Sequence, residues 1–173
     1  FSSVPLGSHD AFVCKISADG SSLLWSTYLG GTGWDSGLAI KVTSSGDVLV
    51  AGTADGPTAE QYFATPGAYD ATANGDDDVF VAKLSGNGGT LRWATLIGGE
   101  QIDMPHGISQ VNTGAIIVAG DTFSSDFPST PGAYDTTHGG NYDGFVLKLS
   151  EDGSSLAWST LLGGASSDSL LDM

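Results

Sequence analysis

The sequence predicts an all-β repeat protein whose strands fall into antiparallel units of four, and three observations carry that prediction. One string returns three times, as Asp10-Ala-Phe-Val-Cys-Lys15, Asp78-Val-Phe-Val-Ala-Lys83 and Asp143-Gly-Phe-Val-Leu-Lys148. The register then holds through Trp25, Trp93 and Trp158 and through the pairs Gly30-Gly31, Gly98-Gly99 and Gly163-Gly164, each set offset by 68 and then 65 residues. Finally, 26 glycines with many Ser, Thr and Asp residues mark frequent tight turns. A fixed period means that no unit buries its apolar face alone, so neighbouring units must stack and function belongs to the stack.

Taken in order, Phe12-Val-Cys-Lys-Ile16 is a short apolar strand, and Ser17-Ala-Asp19-Gly20-Ser21 supplies a hairpin turn. Leu23-Leu-Trp25-Ser-Thr-Tyr28 returns as a second strand and stops at Gly30-Gly31. Leu38-Ala-Ile40-Lys-Val42 and Val48-Leu-Val50-Ala51 form another hairpin around Ser45-Gly46-Asp47. Later copies place Asn87-Gly88 and Asp152-Gly153 at the first turn, and the second copy has Asn112-Thr-Gly114 at the other. A longer connection precedes each new copy and ends in Thr65-Pro66-Gly67-Ala68-Tyr69-Asp70, repeated letter for letter as Thr130-Pro131-Gly132-Ala133-Tyr134-Asp135. Pro and Gly fix a bend there, and Tyr69 and Tyr134 are expected to pack their rings on the sheet. The stretch from Gly52 to Thr65 is three residues longer than that from Gly120 to Thr130, an insertion suited to a surface loop.

Twenty acidic residues against five basic ones give a net charge of -15, which repels nucleic acid and anionic membrane surfaces and leaves cations or neutral polymers such as glycans as partners. No apolar run is long enough to span a membrane. The single Cys14 excludes an internal disulfide, and no Cys/His set has zinc spacing. Its repeat counterparts are Ala82 and Leu147, so Cys14 is expected to be a structural thiol at an apolar position.

Four antiparallel strands in about 65 residues, with one enlarged loop, match a β-propeller blade better than a sandwich or a β-helix coil. The combined string, Asp-x-Phe-Val-x-Lys-(Leu/Ile)-Ser, Asp-Gly-Ser-x-Leu-x-Trp-Ser-Thr-x-Leu-Gly-Gly, Gly-Asp-Val-Leu-Val-Ala-Gly-Thr and Ser125-Asp126-Phe127-Pro128-x-Thr-Pro-Gly-Ala-Tyr, resembles the seven-bladed β-propeller repeat family of bacterial and archaeal secreted and surface proteins. The resemblance covers essentially the whole chain, and the first long loop departs from it with Tyr62-Phe63 where the second has Phe127-Pro128. It implies that the strand after the double glycine is innermost in each blade and the Trp-bearing strand outermost. Residues 1–173 then form one propeller-repeat region of about two and a half blades: a partial blade at 10–29, complete blades at 37–97 and 106–162, and the start of another at 165–173. A closed propeller needs at least roughly four blades. The chain opens with Phe1 partway through a unit, so either further blades lie in a longer protein or copies of the chain complete one another head to tail, as a ring or a filament.

Among residues that could carry chemistry, Asp35, Asp103 and Asp168 recur five positions after the first glycine of each pair. Recurrence points to architecture: such an aspartate accepts backbone N–H bonds in every blade, whereas a catalytic group is needed once. A ring of them holding a cation in a channel is the alternative. Asp76, Asp77 and Asp78 are the densest oxygen cluster and the calcium candidate, although their spacing is not that of a Ca²⁺ loop and the third copy offers only Asn141-Tyr142-Asp143. His9, His106 and His138 share no repeat position, and no Ser-His-Asp set or carboxylate pair can be named. Trp25, Trp93 and Trp158 are expected in the core, while Trp34, without an aromatic counterpart at Ile102 or Ser167, is expected at the surface in contact with glycan or a neighbouring subunit.

These features predict a non-enzymatic, extracellular or cell-surface structural and adhesive scaffold, without a cofactor, that joins copies of itself or belongs to a longer surface protein. The alternatives are a calcium- or carbohydrate-binding propeller module and, behind it, an enzyme domain on a propeller, since one fold hosts many chemistries.

Overall fold

The computed structural model describes residues 2–56 and 64–172. The fold is all-β, and among the described residues ten strands form three antiparallel sheets. Strand β1 (Ala11–Ile16) pairs with β2 (Leu23–Leu29). Strands β3 (Asp35–Val42), β4 (Val48–Asp55), β5 (Asp77–Leu84) and β6 (Leu91–Ile97) form the second sheet in that order. Strands β7 (Asp103–Gln110), β8 (Ile116–Thr122), β9 (Asp143–Leu149) and β10 (Leu156–Leu162) form the third. The first sheet therefore holds only the counterparts of the last two strands of the others. Strand β3 starts three residues before the expected Leu38, because the Asp35 N–H donates to the His9 carbonyl at 2.9 Å and keeps the backbone extended. Tyr62-Phe63 and Met173 lie outside the described residues.

The sheets stack face to face. Strand β7 packs across β3, β4 and β5, and β1 packs on β3. The side-chain alternation of a strand divides β5 between two neighbours: Val79 and Val81 enter the core shared with the third sheet, while Phe80, Ala82 and Leu84 enter the core shared with the first. An antiparallel strand buried on both faces reads as a continuous apolar run, as Val79-Phe-Val-Ala82 does. Phe127, from the loop after β8, closes the larger core by stacking on Phe145 with ring centroids 4.6 Å apart. Each such phenylalanine contributes about 2–3 kcal/mol by leaving water.

Each hairpin turn of the Asp-Gly or Asn-Gly type closes in the same way. In the third sheet the Ser150 N–H donates to the Ser155 carbonyl at 2.9 Å, and Gly153 takes a φ of +69° where a Cβ would strain the backbone. The two Thr-Pro-Gly-Ala-Tyr-Asp segments lie along the outer strands. Thr65 N–H donates to the Ala94 carbonyl and the Leu96 N–H to the Asp70 carbonyl, both at 3.0 Å, so β6 is not a bare edge. Thr130 and Asp135 treat Ser159 and Leu161 of β10 identically.

The ends of the stack depart from expectation. Phe12 is 67% exposed, whereas Phe80 and Phe145 at the same repeat position are fully buried. Cys14, expected among apolar side chains like Ala82 and Leu147, is likewise exposed, because no sheet covers that face of β1. Trp158, expected in the core, is 39% exposed against 8% for Trp93, and Tyr134 stands 87% exposed while Tyr69 packs on the core. In each case the sequence is equivalent and the missing partner is a neighbouring sheet.

Candidate functional site

The most regular polar feature is a carboxylate clamp at each of the three glycine pairs. Asp35, Asp103 and Asp168 each accept the N–H of the second glycine of their pair: Gly31 at 2.6 Å, Gly99 at 2.7 Å and Gly164 at 2.8 Å. At the first two pairs the bond fixes the turn that carries the chain from β2 into β3 and from β6 into β7. A second carboxylate comes from the head of the Asp-x-Phe-Val string. Asp78 Oδ2 accepts the Asn74 N–H at 2.8 Å, Asp143 Oδ2 accepts that of Gly139 at 2.7 Å, and Asp10 Oδ2 accepts that of Gly7 at 3.2 Å. At Gly98 the two carboxylates converge: a Cβ built there would overlap Asp78 Oδ1 and lie 2.9 Å from Asp103 Oδ2. Gly30 sits in the same way between Asp10 and Asp35. The sequence reading missed this pairing, since it gave the leading aspartate no role beyond marking the repeat.

Asp35, Asp78, Asp103 and Asp143 are all buried, and the Oδ1 of each lacks a hydrogen-bond partner among the described residues. For Asp35, Asp78 and Asp103, an ionised form with an unpartnered buried oxygen is costly, which favours the protonated form. Burial accordingly pushes Asp78 up to about 7, with Asp103 and Asp70 adding like-charge repulsion. It pushes Asp35 and Asp103 up to about 6, against the hydrogen bonds from Gly31 and from Thr122, Gly99 and Ser124 respectively.

Of the calcium candidates, Asp78 belongs to the clamp, Asp76 is exposed, and burial next to Asp55 and Asp76 raises Asp77. Successive residues Asp77 and Asp78 of β5 point to opposite faces. Among the described residues no group of three or more His, Cys, Asp or Glu side chains is placed to hold a metal ion. Trp34 lies at the surface, about half exposed, and stacks on His9 with ring centroids 3.6 Å apart.

One polar group is not repeated. Asp121 on β8 receives the Ser169 hydroxyl at 2.7 Å and the Leu170 N–H at 2.9 Å, and its Oδ2 lies 2.9 Å from His106 Nε2. A serine, a histidine and an aspartate thus meet, but the carboxylate stands in the middle. Nucleophile activation needs the imidazole between the other two, so this arrangement works as an anchor for the segment after β10 rather than as a triad. Asp121→Ala is expected to free residues 165–172, seen as about tenfold or faster amide exchange at Leu170 while the β8 and β9 amides stay protected. His138 Nε2 lies 3.2 Å from the Thr122 carbonyl and has no part in this group.

No family model matches the chain, and no curated protein matches it.

Proposed function

We propose that this protein is a non-enzymatic, extracellular scaffold whose stacked sheets are blades of a β-propeller, joined to copies of itself or to further blades of a longer surface protein. The observation that carries the reading is the repeated sheet-to-sheet contact. Sheets one and two meet through the same residue positions as sheets two and three, and the outer faces of the stack keep those positions apolar and exposed, with Phe12 at one end and Trp158 at the other. Clamps present at every crossover fit a load-carrying architecture better than chemistry performed once. The resemblance to secreted and surface propeller repeats, together with the acidic surface, supports an extracellular setting.

Electron microscopy of the native material, with the mass of the intact chain measured on the same sample, tests this reading. Rings or filaments of chains near 17.5 kDa support assembly as the function. One larger chain closed into a single propeller removes self-assembly and leaves only the longer-protein form.

A carbohydrate-binding module is the second reading, favoured by the exposed Trp34 indole backed by His9. It requires that a glycan array or affinity column retain the chain and release the Trp34→Ala variant.

A further inference from the structure

Inside the chain, the contact between the second and third sheets has a plug and a socket. The plug is the hairpin turn Ser150–Ser155, and the socket is formed by Trp93 together with the Thr65–Asp70 segment. Gly153 lies so close under the Trp93 indole that a Cβ would overlap the ring. The indole Nε1 donates to the Glu151 carbonyl at 3.1 Å, and the Tyr69 N–H donates to the Gly153 carbonyl at 2.9 Å. Gly88 occupies the same place under Trp25 at the preceding contact.

Each half of this contact recurs, unengaged, at an end of the stack. Asp19-Gly20-Ser21-Ser22-Leu23 repeats Asp152-Gly153-Ser154-Ser155-Leu156, and the turn has the same shape: Gly20 has a φ of +72°, Ser17 N–H donates to the Ser22 carbonyl at 2.9 Å, and nothing lies within 4 Å of a Cβ on Gly20. Thr130–Asp135 repeats Thr65–Asp70 and is clamped to β10 as the first is to β6. Between that segment and Trp158 lies an open groove of about 420 Å³, lined among others by Pro131, Tyr134 and Trp158. Plug and socket sit on the first and third sheets, with the second sheet between them, so one chain cannot close the contact on itself.

We infer that the groove between Trp158 and Thr130–Asp135 receives the Ser17–Ser22 turn of a second copy of this chain. The Trp158 indole would then cover Gly20 and donate to the Ala18 carbonyl, and the Tyr134 N–H would donate to the Gly20 carbonyl. This rests on the scaffold reading and names its contact. The join is heterologous, because different surfaces of the two copies meet, so it builds a ring or an open chain rather than a two-fold dimer. Both backbone acceptors survive the sequence differences. The ion pair between Lys83 and the exposed Glu151 is not reproduced, since Ala18 stands at that position, and an exposed pair of this kind contributes little. Docking would also cover Phe12 and Cys14, the apolar face of β1.

Sedimentation velocity of the purified 173-residue chain over a wide concentration range, with two variants, tests the contact. Trp158→Ala empties the socket at a residue that is 39% exposed in the free chain, against 8% for Trp93. Gly20→Asn keeps a residue that tolerates positive φ but puts a side chain where the indole must lie. Each variant alone is expected to weaken association about tenfold or more. An equimolar mixture of the two is expected to stop at a dimer, since it holds one intact plug and one intact socket. Cys14 alkylation is expected to slow as the wild-type chain associates and to remain fast in either variant. A wild-type chain that stays monomeric at every concentration overturns the inference, and so does association that both variants leave intact. The second result leaves the scaffold reading standing on some other surface, whereas a single closed propeller in native material removes self-assembly whatever the isolated chain does.

Discussion

Gly98→Ala is expected to lower the stability of the chain by about 3 kcal/mol or more, the cost of forcing a methyl group into a packed and polar site. The added Cβ has nowhere to go. It overlaps Asp78 Oδ1 and crowds Asp103 Oδ2, and neither carboxylate can swing aside without breaking its bond to Asn74 or Gly99. Both groups are fully or almost fully buried, so a displaced carboxylate would lose its remaining partners without reaching water. Urea unfolding read by tryptophan fluorescence checks the expectation. Gly37→Ala serves as the control for methyl addition alone, since Gly37, like Gly98, has no positive φ and a Cβ there meets only ordinary contacts, at 3.5 Å from Ala11 and 3.9 Å from Val50. Equal losses from the two variants would mean that the clamp has no special hold on Gly98.

Acidification from pH 8 to pH 5 is expected to stabilise the folded chain. Asp78 at about 7, and Asp35 and Asp103 at about 6, lie above the ordinary 3.8 of an aspartate, so between pH 4 and 7 the folded chain binds more protons than the unfolded one. Stability therefore falls as pH rises through that window and levels off above it. Asp19 and Asp152 act in the opposite sense at lower pH. The hydroxyls of Ser17 and Ser150, with those of Ser21 and Ser154, hold them near 2, and what they add is lost only as pH falls from about 4 through 2. Maximal stability is accordingly expected near pH 4–5. Thermal unfolding midpoints measured from pH 8 to pH 4 give the profile, and Asp78→Asn, which stays uncharged and keeps an acceptor for the Asn74 N–H, should flatten it. A wild-type midpoint that falls on acidification would show the clamp carboxylates to be ionised and stabilising.

The strands, their antiparallel pairing and the turn glycines were legible because each is a local property. Apolar runs such as Val48-Leu-Val50 and the Asp-Gly and Asn-Gly pairs specify strand and turn within a few residues. The clamp was only half legible. Asp103 stood out by its fixed distance from a glycine pair, but Asp78 is 25 residues away in sequence and meets it only because β5 and the start of β7 both pass Gly98. Repeat spacing identifies equivalent positions and is silent about which of them touch. The tryptophans show the opposite failure. Trp93 and Trp158 hold the same repeat position, yet one is covered and the other is not, because the cover is the hairpin turn of the following sheet. Asp121, His106 and Ser169 could not be grouped beforehand, since nothing repeated links them.

The segments that run beside the outer strands also decide where this chain is vulnerable to misassembly. Residues Thr65–Asp70 and Thr130–Asp135 occupy the hydrogen-bonding sites that β6 and β10 would otherwise offer to a foreign strand, and Ser2 does the same for β2, its carbonyl accepting from Tyr28 at 3.0 Å. Strands β1, β3 and β7 have no such guard: among the described residues each pairs along one edge only, with β2, β4 and β8 respectively, and β1 in addition presents the exposed Phe12 and Ile16 on one face. Lateral cross-β growth, if the isolated chain undergoes it, should therefore begin at one of these three strands, with the apolar, exposed β1 foremost, and a lysine or proline placed on β1 is the first change that would blunt it.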